Sequence, residues 1–237
     1  MSFLLQVAHW FANPAHWHGT DGIPNRVGEH VLMSLVATLV AVAIALPVGL
    51  VLGHYGRGGA LAINVSNIGR AIPSFALLVL FLQLTGLGAI PAFLALVALA
   101  IPPIVTNGYV GMRNVDAGLL DAARGIGMRA DQILIKVELP TAVPVVMAGV
   151  RTAGVQVVAT ATLAAVVSWG GLGRYIVDGL NNLDYAEVFA GALMVAVLAG
   201  IAEIVLAGLE YVLTPVGLRR VSRRSTGQRQ AEAPAAT

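Results

Sequence analysis

Between Arg70 and Arg113 lie 42 residues without a single Asp, Glu, Lys or Arg. About 20 apolar residues suffice to cross the hydrocarbon core of a bilayer. One helix through this run would be roughly 63 Å long, about twice the thickness of that core. The run must therefore turn back on itself, and LTGLGAIP, residues 84–91, supplies the turn formers Gly86, Gly88 and Pro91. A span that begins near Ala62 is expected to end near Leu84, and the next to run from about Pro91 to Val110. Residues 31–52 are a second charge-free run and make the first span.

The composition agrees with a membrane chain. Of the 237 residues, 57% are hydrophobic and 11% charged, with a mean hydropathy of +0.82. Soluble domains average roughly 45–50% apolar and about 25% charged. The 26 charged side chains are too few for the polar shell of a soluble core of this size, which excludes an ordinary cytosolic enzyme and a disordered protein. Aromatic residues at 6% and the lack of long alternating segments argue against a β-barrel. The absence of cysteine excludes disulfide scaffolds, iron–sulfur clusters and thiolate zinc sites. The net charge of +2 is small beside a pI near 9.3, and thirteen of the fourteen basic residues are Arg, which reads as codon bias.

Residues 112–140 break the apolar pattern. Arg113, Asp116, Asp121, Arg124, Arg129, Asp131, Lys136 and Glu138 put eight charges there, so the segment is an aqueous loop. Leu119, Leu120, Ala123, Ile126 and Gly127 recur at helical spacing within it and predict short amphipathic helices. A fourth span is expected over 142–167, a polar Gly/Asn-rich loop over 169–187, and a fifth span over 188–213. Residues 214–237, basic and then Ala/Pro-rich, read as a disordered tail. With five spans and the N-terminus outside, eleven of the fourteen basic residues fall inside and only Arg26 and Arg174 outside, Arg151 lying within a span. That asymmetry puts the 112–140 loop and the C-terminus in the cytoplasm.

Residues 1–30 carry no positively charged leader. Phe3, Leu4, Val7, Trp10, Phe11 and Trp17 fit an external interfacial helix with aromatic anchors. His9, His16 and His18 raise the question of a metal site, but an aqueous cluster beside Trp is the simpler reading. Phosphate-cradling G-x-x-x-x-G-K-[ST], H-E-x-x-H and G-x-S-x-G are all missing, as is any paired carboxylate on a soluble face. Enzymatic chemistry has no visible site, and nothing points to nucleic acid.

The string DAARGIGMRADQILIKVELP, residues 121–140, resembles the EAA loop of ABC importer permeases, E-A-A-x-x-x-G-x9-I-x-L-P. Asp121, Ala122 and Ala123 stand at the triplet, Gly127 at the glycine, and Val137, Leu139 and Pro140 at the closing residues. Asp for Glu and Val for Ile are the two departures. RAIPSFALL (70–78), IPPIVTNGYVGMRNVD (101–116), VRTAGVQVVATATLAAVV (150–167), WGGLGRYIVDGL (169–180) and LTPVGLR (213–219) are similar to the subgroup that imports osmoprotectants such as glycine betaine, carnitine and choline. The resemblance covers roughly residues 27–220.

It implies an all-α, polytopic helical bundle of the type I ABC importer transmembrane fold, with about five spans and a cytoplasmic coupling helix. It also implies a bacterial inner-membrane location. Two permease copies, or this chain and a paralogue, would form the pathway. ATPase subunits would dock below and hold the ATP and Mg, this chain carrying no cofactor, and an extracytoplasmic binding protein would deliver cargo from above. Small Ala122 and Ala123 would let the partner approach, Gly127 would turn the chain, Asp121 would start a helix or face a partner Arg, and Pro140 would end an extended segment.

Within the spans, Arg151 and Glu203 are ionisable and each lies about 14 Å from the cytoplasmic side, so an ion pair between them is expected. Glu210, two turns beyond Glu203, is read as reaching water. Trp169, Tyr175 and Tyr185 sit at the external boundary, where an aromatic belt is a simpler reading than a cation–π cage. Trp169, Gly171, Gly173 and Tyr175 are read as an external gate and docking loop. Pro47, Pro73, Pro102, Pro103 and Pro144 mark kinks in or beside spans. The rival readings are a methionine or amino-acid importer permease, a self-contained secondary transporter, for which no inverted repeat is visible, and a membrane enzyme.

Overall fold

The computed structural model describes residues 2–215 and 217, so the basic tail beyond Leu218 lies outside the described residues. The regular elements among the described residues are helices. In chain order they are α1 (Phe3–Ala12), α2 (Ile23–Tyr55), α3 (Gly59–Ala71), α4 (Ser74–Thr85), α5 (Ala89–Arg113), α6 (Ala117–Gly125), α7 (Ala130–Ile133), α8 (Leu139–Thr160), α9 (Gly173–Asn181) and α10 (Tyr185–Leu213). A π turn, Leu134–Glu138, joins α7 to α8, and 3₁₀ turns cover Pro14–Trp17 and Ala161–Val167. Four stretches are long and apolar enough to cross a membrane: α2, α5, residues 130–167 and α10.

The centre of the bundle is α5, flanked by α2 and α8. Between helices in lipid there is little hydrophobic drive, so close contact depends on small residues. On α2, Ala37, Ala41, Ala45, Gly49 and Gly53 recur every fourth position, and all five are buried. A Cβ on Gly49 would lie 2.7 Å from the Val105 carbonyl oxygen, and one on Gly53 would lie 2.5 Å from Met112 Cβ. On the other flank, Gly149 of α8 is so close to α5 that a Cβ would meet Asn107 Cβ at 2.5 Å. Met33, Ala37, Ala41, Leu96, Ala100, Ile104, Ala153 and Val157 make the resulting core. Helix α10 lies on the far side of α8, and α1 rests on α10.

Several boundaries differ from the sequence expectation. Helix α2 begins at Ile23 rather than 31, because Arg26 pairs with Asp21 and Glu29 and the helix can carry both charges. The span expected over 62–84 is broken: Ile72, which precedes Pro73, is extended (φ −74°, ψ 122°), so α3 and α4 are separate helices. The loop expected over 169–187 contains α9, which buries Gly173, Tyr175 and Gly179 on one face. The fourth span starts at Leu139 and tightens to a 3₁₀ turn over its last seven residues, Ala161–Val167. No extended segment precedes Pro140. Its missing N–H is accommodated by the π turn, in which Leu139 N donates to Leu134 O, and Thr141 Oγ1 donates to the Val137 carbonyl at 2.6 Å.

Gly49→Val forces Cβ against the α5 backbone and should destabilise the bundle by about 1–3 kcal/mol. Gly200→Ala, with nothing within 4 Å of the added carbon, should leave it unchanged. Thermal unfolding in detergent, followed by size-exclusion chromatography, separates the two.

Candidate functional site

Just beyond α5, Asp116 caps α6, its Oδ1 accepting Leu119 N at 2.9 Å. Asp121 is therefore not at the helix start. It sits inside α6 with Arg124 Nη1 3.1 Å away, both side chains exposed. Helix α6 ends in a Schellman motif: Met128 N donates to Ala123 O, Gly127 N donates to Arg124 O, and Gly127 adopts φ +81°. Only glycine takes that conformation without strain. The two alanines of the triplet separate, Ala123 being buried and Ala122 exposed. Ala122 lies in an outward row with Leu119 and Ile126, and Ile126 is 80% exposed. The three make an apolar ridge on a short, capped helix.

The segment is anchored behind the ridge. Arg129 N donates to Gln132 Oε1 at 3.0 Å, opening α7. The Arg129 guanidinium hydrogen-bonds Asp131 and holds its carboxyl below the usual aspartate range. Glu138, the last residue of the π turn, is buried against His54 at the end of α2, its Oε2 in contact with Nδ1. Leu139 and Pro140 then open α8.

At mid-depth, Arg151 Nε lies 3.1 Å from Glu203 Oε1, and its Nη1 donates to Glu210 Oε2 at 2.9 Å. Glu210 is thus a second carboxylate on the same guanidinium, not a side chain left to water. A long Arg on α8 can span two turns of α10, which spacing in one sequence does not reveal.

At the other end of α2, residues 170–175 are held to its start. Glu29 Oε2 accepts Gly171 N at 2.7 Å and also pairs with Arg26. His30 is buried. Its Nδ1 accepts Leu172 N at 3.3 Å, and its Nε2 donates to Val158 O at 2.8 Å. These partners fix the neutral tautomer, because a carbonyl only accepts and an amide N–H only donates. Gly171 takes φ +82°, and a Cβ on Gly173 would lie 2.1 Å from the Thr162 carbonyl oxygen. Tyr175 is buried, not interfacial. It stands edge-on to Trp10 with centroids 5.3 Å apart, and its hydroxyl donates to Asp21 O. Burial pushes that hydroxyl's pKa up to about 12. Trp169 is half-buried between two apolar clusters, while Tyr185 is exposed. His16 stacks on Trp10, its Nδ1 2.7 Å from Trp10 O, and no metal-holding cluster occurs among the described residues. Glu29, His30 and His54 were not singled out by the sequence, because their partners lie between 84 and 142 residues away.

The model of the binding-protein-dependent transport system inner membrane component family matches residues 45–215. The choline transport system permease protein OpuBB of Bacillus subtilis is 41% identical over 83% of this chain and 91% of its own length. The glycine betaine/carnitine/choline transport system permease protein OpuCB of the same organism is 39% identical over 82% and 89%. The osmoprotectant import permease protein OsmW of Salmonella typhimurium is 34% identical over 81% and 91%. Among solved structures, an inward-facing conformation of the MetNI methionine ABC transporter superposes with a TM-score of 0.70 at 25% identity, covering 86% of this chain and 99% of that one.

Arg151→Ala leaves the Glu203 and Glu210 carboxylates of α10 without their cation on α8. Because Arg151 is 36% exposed, the expected loss is about 1–3 kcal/mol, below the ~3–5 of a dry pair. Adding Glu203→Gln and Glu210→Gln should return most of it. Unfolding temperatures of the single and triple variants decide; equal losses would contradict the pairing.

Proposed function

The chain belongs to the family of binding-protein-dependent transport system inner membrane components and is the membrane permease of an ABC importer, and we propose that its cargo is a quaternary-amine osmoprotectant such as choline or glycine betaine. The support is the identity of near 40% over most of the chain to permeases named for that cargo. Its structural relatives are type I importer domains, which fits an all-α permease that works with separate ATPase subunits and a binding protein.

The observation that carries the mechanism is the exposed ridge of Leu119, Ala122 and Ile126 on α6, inside the motif that resembles the EAA loop. We read it as the surface that enters a groove of the ATPase. The buried Ala123 and the Gly127 turn hold the ridge in place, and α7 runs through the π turn into α8. ATP and Mg belong to that partner, so closure of the ATPase dimer is the energy source and the ridge receives it. Two conformations of the permease, open to either side, are then biased in turn by ATP and by cargo-loaded binding protein.

In this reading the N-terminus is outside and the 112–140 segment cytoplasmic, as the placement of Lys and Arg favours. The turn at Gly170–Gly173, held by Glu29 and His30, is the external gate, with Trp169 and Tyr175 packed behind it. An open cleft of about 760 Å³ between α1 and the start of α10, lined by Gln6, His9, Asn13 and Glu187, offers a docking face for the binding protein. A second permease, of this chain or a paralogue, completes the pathway. The Arg151 group is a structural pin between α8 and α10, because Glu203 and Glu210 of α10 both take up the guanidinium of α8.

The test is ATP-dependent uptake of radiolabelled choline, glycine betaine and methionine into proteoliposomes that hold the permease, its ATPase and its binding protein. Uptake of a quaternary amine, and not methionine, is expected. Ile126→Asp, on a side chain 80% exposed, should leave the permease folded but lower co-purification of the ATPase by at least about tenfold, since a carboxylate must be desolvated at the contact. Undiminished co-purification and uptake would contradict the docking role.

A further inference from the structure

The 112–140 segment meets α5 through the non-helical residues 114–116 and meets α8 through unbroken helix. Helix α7, the π turn and α8 follow one another without a break from Ala130 to Thr160, so a push on the segment reaches α8 directly. Helix α2 is different. It is 84 residues distant in sequence at the point of contact, and the polar link from its cytoplasmic end to the segment is His54 to Glu138.

That link has the features of a built joint. Both side chains are largely buried, at 13% and 7% exposed. Glu138 ends a π turn, a widened helical geometry that is uncommon and tends to occur at functional sites. His54 is placed by neighbours that cannot easily move: Gly53 is pressed against Met112, and Gly56 ends α2 in the left-handed region at φ +64°. A buried carboxylate is expensive unless paired, so Glu138 holds to its partner. At the other end of the same helix, Glu29 and His30 grip the turn at Gly171 and Leu172. His30 and His54 are 24 positions apart on one helix, about 36 Å along its axis.

We propose that His54 and Glu138 are a positioning pair that makes α2 move together with the coupling segment, so that α2 carries the movement to the external turn. The proposal rests on the docking role of the segment and adds the path by which α2 is recruited. Without the pair, the segment drives α8 while α2 stays behind.

The chain has no cysteine, so single cysteines report cleanly. A nitroxide is placed at Leu39→Cys on α2, where the side chain is 57% exposed, or at exposed Thr152→Cys on α8. Each is read in the full transporter with and without ATP plus vanadate. Both labels should respond in the parent protein. In His54→Ala and Glu138→Gln the Leu39 response should fall at least about fivefold, the scale of a ~1 kcal/mol loss of coupling, while the Thr152 response persists. His54→Asn, whose amide nitrogen reaches the place of Nδ1, should restore the Leu39 response. A Leu39 response that survives both disruptive variants overturns the proposal. So does a joint loss of both responses that His54→Asn does not repair, since the pair would then be merely structural. If neither label responds in the parent protein, the docking reading itself fails, which is a different outcome.

Discussion

The structure depends on how closely α2 and α8 can approach α5. In a bilayer, lipid tails solvate a leucine as well as another helix does, so burying large side chains between spans gains little. The close distances instead come from Gly49, Gly53 and Gly149, where added carbons would overlap the backbone or Cβ atoms of α5. Tight backbone contact raises dispersion and sets the spacing of a three-helix slab, leaving relative slide and tilt to other contacts. Everything of functional interest hangs on the ends of that slab. The 112–140 segment leaves the end of α5, and the turn at Gly170–Gly173 is clasped to the start of α2.

Polar groups then do what small residues cannot, which is to fix orientation. The described ion pairs within the membrane-crossing helices sit at three levels: Arg26 with Glu29 and Asp21, Arg151 with Glu203 and Glu210, and His54 with Glu138. Two of the three levels join different helices. A buried or half-buried charge without a partner is costly, so Arg151 and Glu138 each have a narrow set of arrangements and act as locators. The buried His30 does the same without net charge, since its two nitrogens are committed to Leu172 N and Val158 O.

Much of this was legible in the chain. The charge-free runs located the membrane helices, and the glycines of 84–91 marked a turn at which Gly86 and Gly88 do take positive φ. The spacing of DAARGIG marked the proposed coupling segment, and equal depth suggested Arg151 beside Glu203. The misses share a cause. Ile72–Pro73 broke a helix that hydropathy averaged over, because a sliding sum does not register one extended residue. Helix α9 was hidden in a Gly/Asn-rich stretch, since only packing against α10 and the 3₁₀ turn makes Tyr175 and Gly179 a buried face. The five small residues from Ala37 to Gly53, at every fourth position, read as ordinary apolar sequence until a partner helix is set against them.

The sequence by itself determined that the chain is a membrane bundle, where along it the charges cluster, and which segment resembles the family's coupling motif. These follow from local rules: apolar length against bilayer thickness, charge against hydrocarbon, and a glycine at the end of a short helix. Only the tertiary structure decided which alanine of the triplet faces outward, that Glu210 shares Arg151, and that His54 meets Glu138 while Glu29 and His30 meet Gly171 and Leu172. Those contacts join residues far apart in the chain. They exist because glycine-lined backbones bring α2, α5 and α8 together at one register, and no local pattern in a single sequence encodes a register between helices.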